Sequence, residues 1–278
     1  MSSARPIREP DWGRTTARGL PHPPLTFLWP VQEEVGLHGA RHASLSLLGQ
    51  PKLAFNWDGG APEKITVGAT GGYRILIEVQ GIASHAGVAP QRGVSAVAIA
   101  ALAITDLQQG GWHGAIQKPE GDGTSNVGVI QGGAATNVVA ERVTVRAEAR
   151  SHHPGFRRRI VREIERAFKE AAKQVRNEAG RCGRVKIDGR LDYESFLLPN
   201  DDPSLGAAEE ALRRLGKVPQ RAVASGGVDA NWMFRHGIPT ATFGCGHIDQ
   251  HMVTETLDVA QFETACRVAL RLATQTKG

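Results

Sequence analysis

Apolar and polar positions change period along the chain, and the changes mark out its elements. Over residues 73–80, Ile75, Ile77 and Val79 alternate with polar neighbours, the period of a half-buried strand. Residues 93–108 carry Ala, Val, Ile and Leu at helical spacing. Residues 124–130 and 138–150 read as strands; in the second, Val143, Val145, Ala147 and Ala149 alternate with Thr144, Arg146, Glu148 and Arg150. Phe156, Ile160, Ile164, Phe168, Ala172 and Val175 then recur every three or four residues, an amphipathic helix. Residues 185–193 close the series as a strand. The order β-α-β-β-α-β is that of a split βαβ, ferredoxin-like unit.

On either side the pattern is that of an α/β protein. Residues 1–24 read as an irregular lead-in ending in GLPHPP. Residues 25–31 read as a buried strand, with Pro30 as an objection. A helix is predicted over 39–48 and a strand over 53–57, after which GAPEKITVGATGG reads as a turn-rich boundary. Beyond the small unit, helices are predicted over 203–215, 226–236 and 259–276, and a short strand over 238–243. A compact unit at 72–193 is therefore expected to be inserted between the two pieces, 1–71 and 194–278, of a sheet-and-helix domain.

The 41% hydrophobic content suffices for a core and excludes global disorder. The net charge of +5 raises the question of nucleic acid. Its densest basic run, Arg157 to Arg166, is interleaved with Glu163 and Glu165 on a helical stretch and reads as a solvated face, so no nucleic-acid partner is expected. No apolar run approaches the ~20 residues of a membrane span. Three cysteines without regular spacing point to a reducing, cytoplasmic setting rather than a disulfide framework.

Three apolar runs end in residues that bind metals. The first delivers adjacent acids, Glu33 and Glu34; the second ends at Asp58; the third leads through a Gly-rich loop to His251. Strand ends of an open α/β sheet converge on one edge, where ligands bind. Two charges there need compensation, and a metal ion with one acid as ligand and the other as base supplies it. The alternative is a solvated turn whose acids sit at a helix start, where the helix dipole favours them.

The segments QEEVGLHGA, NWDGG, ASHAG, GGAATNVV, SGGVDAN and GCGHIDQHMVTE resemble, in order, those of the two-zinc, lid-domain exopeptidases and deacylases. That group holds tripeptidase T, carboxypeptidase G, aminoacylase and succinyl-diaminopimelate desuccinylase; HAGVAP and DGG look most like the tripeptidase T branch. The resemblance covers nearly the whole chain after Gly19. It implies a zinc-exopeptidase-type mixed sheet flanked by helices, with the inserted unit as a lid, and two zinc ions. Glu33 would be the general base, Glu34 and His251 ligands of one metal, and Asp58 a ligand of the other. His85 would stabilise the oxyanion, or, read without the family, cap the following helix. Asn137 would lie near the substrate, or serve its turn. The backbone N–H groups of Ser225, Gly226 and Gly227, at an expected helix start, would hold a substrate carboxylate. The family's His-x-Asp motif and bridging Asp have no counterpart here: Asp11 is the only aspartate before the Glu pair. The chain thus looks like a relative lacking roughly its first hundred residues, judged by the usual size of two-domain chains.

Three functions fit this resemblance. One is an aminopeptidase of short peptides, the second an N-acyl amino acid deacylase or carboxypeptidase, and the third an inactive relative that binds peptides or dimerises through the lid. A homodimer through the lid is expected in the first as well. Cys245 and His247 lie near His251 in sequence, and His38 and His42 follow the Glu pair at helical spacing; each is either a supplementary ligand or a structural residue. Asp229 and Glu255 are expected to support the ligands.

Overall fold

A computed structural model of the protein describes residues 19–274. Asp11 and the Arg-rich start of the sequence lie outside the described residues. Along the chain the first elements are α1 (His38–Arg41), α2 (Leu45–Leu48), β1 (Phe55–Asp58) and β2 (Lys64–Ala69). A second compact unit, Thr70–Ser195, then contains β3 (Gly71–Gln80), α3 (Ala96–Gln109), β4 (Gly114–Lys118), β5 (Gly121–Gly132), β6 (Arg142–Ser151), α4 (Pro154–Gln174) and β7 (Arg184–Tyr193). The chain returns to the first unit with β8 (Phe196–Leu197), α5 (Pro203–Arg214), β9 (Gln220–Ala224), α6 (Ala230–Arg235), β10 (Ala241–Gly244), β11 (His247–Ile248), β12 (Thr256–Leu257) and α7 (Val259–Thr274).

In the second unit, Ile75, Ile77 and Val79 of β3 pair with Ala147, Val145 and Val143 of β6 in antiparallel register. All six are buried, since the period-two alternation puts them on one face. Ile160, Ile164 and Phe168 of α4 and Ile99, Ala103 and Leu107 of α3 join them in one core. Ser95 caps α3, its hydroxyl accepting from the Ala98 N–H at 3.1 Å. The sheet order is β4-β5-β6-β3-β7, so a fifth strand is added to the four that periodicity gives. Periodicity misses β4 because only Ile116 of its five residues is buried.

In the first unit, β1 pairs in parallel with β10, and β10 is antiparallel to β2. The short β8 also pairs with β2, as does β9 in parallel. Ile65, Ala69, Leu205, Leu212, Phe243 and Val268 form its core with α5 and α7. Here the structure corrects several sequence expectations. Residues 25–31 form no strand: Phe27, Trp29 and Val31 are exposed, and the prolines at 23, 24 and 30 supply no N–H for a ladder. The helix expected over 39–48 is two single turns, because Ser44 is extended and starts a new turn. GAPEKITVGATGG contains β2, a strand with three neighbours in the sheet, rather than a boundary. Its Ile65, Val67 and Ala69 are buried within a run too short and Gly-bracketed to stand out. The helix expected over 226–236 begins only at Ala230.

Candidate active site

The Glu33–Glu34 turn is built by close backbone packing. The Glu33 carbonyl accepts N–H bonds from Gly36 and Leu37, at 3.1 and 2.9 Å, and the Val31 carbonyl accepts from Gly39 at 2.8 Å. A Cβ on Gly39 would lie 2.4 Å from the Val31 nitrogen, so only glycine allows this return. Gln32 and Leu37 flank the acids with φ of 57°, a left-handed conformation costly for residues with a Cβ. The turn is held in place by Leu37 and Ala40, both buried, and by His236, the residue that ends α6, whose Nε2 lies 3.1 Å from the Ala40 carbonyl oxygen. Arg41 stacks over Trp232 at 5.1 Å.

Asp58 ends β1. One carboxylate oxygen accepts the Gly59 N–H at 2.6 Å, and its carbonyl accepts the Cys245 thiol at 2.7 Å. Trp57 stacks on Phe243 of the neighbouring strand, with centroids 5.7 Å apart, and fixes the strand end. His251 sits in the loop of the β11–β12 hairpin, with φ of 65° and its N–H donating to Glu255 at 2.9 Å.

The structure brings Glu34 and His251 together: Oε1 and Nε2 are 3.0 Å apart, and both side chains are about seven-tenths exposed (69% and 72%). Around them the charge is unbalanced. Burial first, then the charges of Asp58, Asp229 and Glu34, push the Glu33 carboxyl up to about 7, against a smaller lowering by His251. Burial and Asp58 push Asp229 up to about 6. One carboxylate oxygen of Asp229, Oδ1, is buried without a hydrogen-bond partner. Glu33, Glu34, Asp58, Asp229 and His251 thus form one electrostatic group on the first unit. Asp229 enters it as a full member; its sequence signal is the acid directly after the SGGV loop.

The donor chemistry of this group suits a cation. With metal–ligand distances of about 2.0–2.2 Å, two ligands of a tetrahedral zinc lie about 3.4 Å apart, close to the Glu34–His251 separation. Among the described residues, however, no group of three His, Cys, Asp or Glu side chains is arranged to hold a metal ion. Glu34 and His251 are the one Glu–His contact within this group.

Ser225, Gly226 and Gly227 lie in the bend after β9, not in the first turn of α6, so they form no helix-start cradle. The Val228 N–H is instead taken by the Asn231 side chain at 2.8 Å. In the second unit, His85 and Asn137 lie on adjacent segments: His85 bridges Val138, and the Ala86 N–H donates to the Asn137 carbonyl at 2.9 Å. Nδ1 of His85 accepts the N–H groups of Gly87 and Val88, both at 3.2 Å. That makes Nε2 the protonated nitrogen of the neutral ring, and a donor. The Asn137 side chain is exposed.

Residues 67–176 match the peptidase dimerisation domain of the M20 family. The chain is 30% identical over 243 residues to the uncharacterized protein YqjE of Bacillus subtilis, covering 87% of this chain and 62% of that protein. The fold is similar to that of a tripeptidase from Staphylococcus aureus, with a TM-score of 0.81 and 27% identity over 94% of this chain and 66% of the other. It is also similar to the aminopeptidase PepT from Bacillus cereus, with a TM-score of 0.77 and 28% identity over the same shares. The chain therefore spans somewhat under two thirds of the length of these proteins. The mixed α/β fold with a peptidase dimerisation domain inserted in it is thus similar to that of the M20-family exopeptidases.

Proposed function

We propose that the chain is a metal-dependent hydrolase of peptide bonds that acts on short peptides as an aminopeptidase. The observation that carries this reading is the convergence of Glu33, Glu34, Asp58 and His251 on the first unit, with Glu34 and His251 at 3.0 Å. The likeness to a tripeptidase and to PepT supports the choice of substrate. Glu34 and His251 would hold one zinc ion and Asp58 would contribute to a second. When bound, such an ion lowers the pKa of a coordinated water to near neutrality.

Glu33 would act as the general base. It is half-buried and its proton affinity is matched to neutral pH, so it can take a proton and return it to a leaving amine. His85 would donate from Nε2 to an oxyanion, a role that the two N–H bonds to its Nδ1 support by fixing the tautomer. Asn137 would contact the substrate next to it. Ser225, Gly226 and Gly227 would line the substrate through loop backbone rather than through a helix terminus. The dimerisation domain supports a homodimer.

A second reading is favoured by one specific observation: among the described residues no three His, Cys, Asp or Glu side chains are grouped to hold a metal ion. On that reading the protein binds peptides and dimerises without hydrolysing them. Zinc titration of the chelator-treated chain separates the two. The first reading expects tight binding that weakens at least tenfold in Glu34→Ala and in His251→Ala. Binding too weak to survive desalting, or unchanged in both variants, supports the second.

A further inference from the structure

The sheet of the second unit has one face on α3 and α4 and one face uncovered, and the uncovered face is charged unevenly. Val143 and Val145 of β6 and Val185 and Ile187 of β7 pack inward, so the residues between them point outward. Toward the Tyr193 end this face neutralises itself. Arg74 pairs with Glu148 at 3.0 Å and with Asp192 at 2.7 Å, and Arg190 pairs with Asp192 at 3.1 Å.

The opposite end does not. In the register of the sheet, Arg142 of β6 and Arg184 of β7 flank Gln80 of β3 on its two sides. All three residues are exposed, and among the described residues neither arginine has an ion-pair partner, Glu141 beside Arg142 included. With strands about 4.8 Å apart, the two arginines start about 10 Å from each other, and their long stems let the guanidinium groups converge. Close packing holds the backbone below them: a Cβ on Gly183, the residue before β7, would lie 3.0 Å from the Gln80 carbonyl oxygen and 2.4 Å from Ile99 Cδ1. One row further in, Lys186 lies 3.9 Å from Glu78 and 3.1 Å from Asp188. The uncompensated charge is therefore confined to the first row.

We propose that the Arg142–Gln80–Arg184 row seats an acidic peptide with carboxylates at alternating positions of an extended segment. Such carboxylates stand on one face about 7 Å apart, within reach of both arginines. Each planar guanidinium grips a carboxylate through two N–H bonds, and the Gln80 amide offers a further donor between them. A nucleic-acid backbone calls for a longer basic track than one row, and the acids of the next row interrupt it. β7 is the edge strand of the sheet, so the row is open on that side. The segment that carries His85 follows β3, and the one that carries Asn137 precedes β6, both at this same end. The inference rests on the reading that the chain takes peptides and narrows their class; it does not rest on hydrolysis.

The test uses the full chain with chelator present, so that no metal holds the probe. The probe is a dye-labelled hexapeptide alternating Glu and Ala, compared by fluorescence anisotropy with its Gln-and-Ala counterpart. The acidic peptide should bind at least tenfold more tightly, and should weaken at least threefold between about 50 and about 200 mM salt. The double variant Arg142→Gln, Arg184→Gln should lose at least tenfold in that affinity. The double variant Arg158→Gln, Arg162→Gln, at exposed positions of α4, should keep it. Both should melt with the wild type, as exposed substitutions do. Equal binding of the two peptides, undiminished binding in the Arg142 and Arg184 double variant, or tighter binding of a single-stranded oligonucleotide of equal charge overturns the proposal. Absence of tripeptide turnover would overturn the hydrolase reading and leave this binding result standing.

Discussion

Glu33 should make the metal-free protein less stable, and neutralising it should show this. Its carboxyl is raised from an ordinary 4.5 to about 7, led by burial and then by the charges of Asp58, Asp229 and Glu34. A group raised in this way contributes stability that is fully present below its unfolded pKa and lost as pH rises through its folded value. Taken in full, 2.5 pH units correspond to about 3 kcal/mol. Glu33 is only half-buried, and solvent screening reduces this to about 1–1.5 kcal/mol. Glu33→Gln, which keeps the shape and removes the charge, should therefore stabilise the chelator-treated protein by about 1–1.5 kcal/mol at about pH 8 and leave it nearly unchanged at about pH 4. Urea melts of both proteins at the two pH values measure this. In a thermal melt the expected rise at the higher pH is about 2–6 °C. A Glu33→Gln protein no more stable than wild type at about pH 8 would refute the account of an uncompensated acidic group. The same substitution should remove hydrolysis, so stability and activity are expected to move in opposite directions.

Further predictions concern the scaffold. Arg157 is 3% exposed and binds Glu194 through two hydrogen bonds, at 2.6 and 3.0 Å; Arg157→Ala should cost about 1–3 kcal/mol in a denaturant melt, because the partly buried carboxylate loses a charge-assisted pair of hydrogen bonds and keeps its contact with Ser195. Burial acts to raise Glu194, but the Arg157 and Ser195 hydrogen bonds outweigh it and lower the group. The contribution of this pair is thus present above the ordinary carboxylate pKa and fades as pH falls through the lowered one, so the cost of Arg157→Ala should shrink in acid. Gly244→Ala would place a Cβ 2.2 Å from the Gly60 carbonyl oxygen; it should destabilise by about 1–3 kcal/mol and weaken metal binding at Asp58, read by melting and zinc titration. The dimerisation domain predicts a dimer mass by light scattering at micromolar concentration; a monomer mass there would count against lid-mediated assembly.

The second unit was largely legible in sequence because its elements are long and one-sided. Ile75, Ile77 and Val79 can be buried together only by a strand, and Ile160, Ile164 and Phe168 only by a helix. The first unit was harder because its strands are short. β2 shows Ile65 and Val67 between a proline and glycines, and β9 buries none of its residues fully. The run at 25–31 misleads for the opposite reason: it is apolar, but Phe27, Trp29 and Val31 stay exposed. Glu34 and His251 were expected from apolar runs leading into them and from the family resemblance; the structure places their side chains 3.0 Å apart, although the run before Glu34 is no strand. Asp229 was expected only in support, because a single acid after a glycine loop does not reveal that one of its oxygens is buried unpaired. The Arg142–Gln80–Arg184 row depends on strand register, which a sequence does not display.

The most direct test is release of the N-terminal residue from an unblocked tripeptide by the zinc-loaded full chain, with Glu33→Gln measured alongside. The account predicts zinc-dependent turnover that falls at least about 100-fold in the variant, the usual contribution of a positioned general base. Wild-type turnover no faster than that of Glu33→Gln would contradict it and leave a protein that holds peptides without cleaving them.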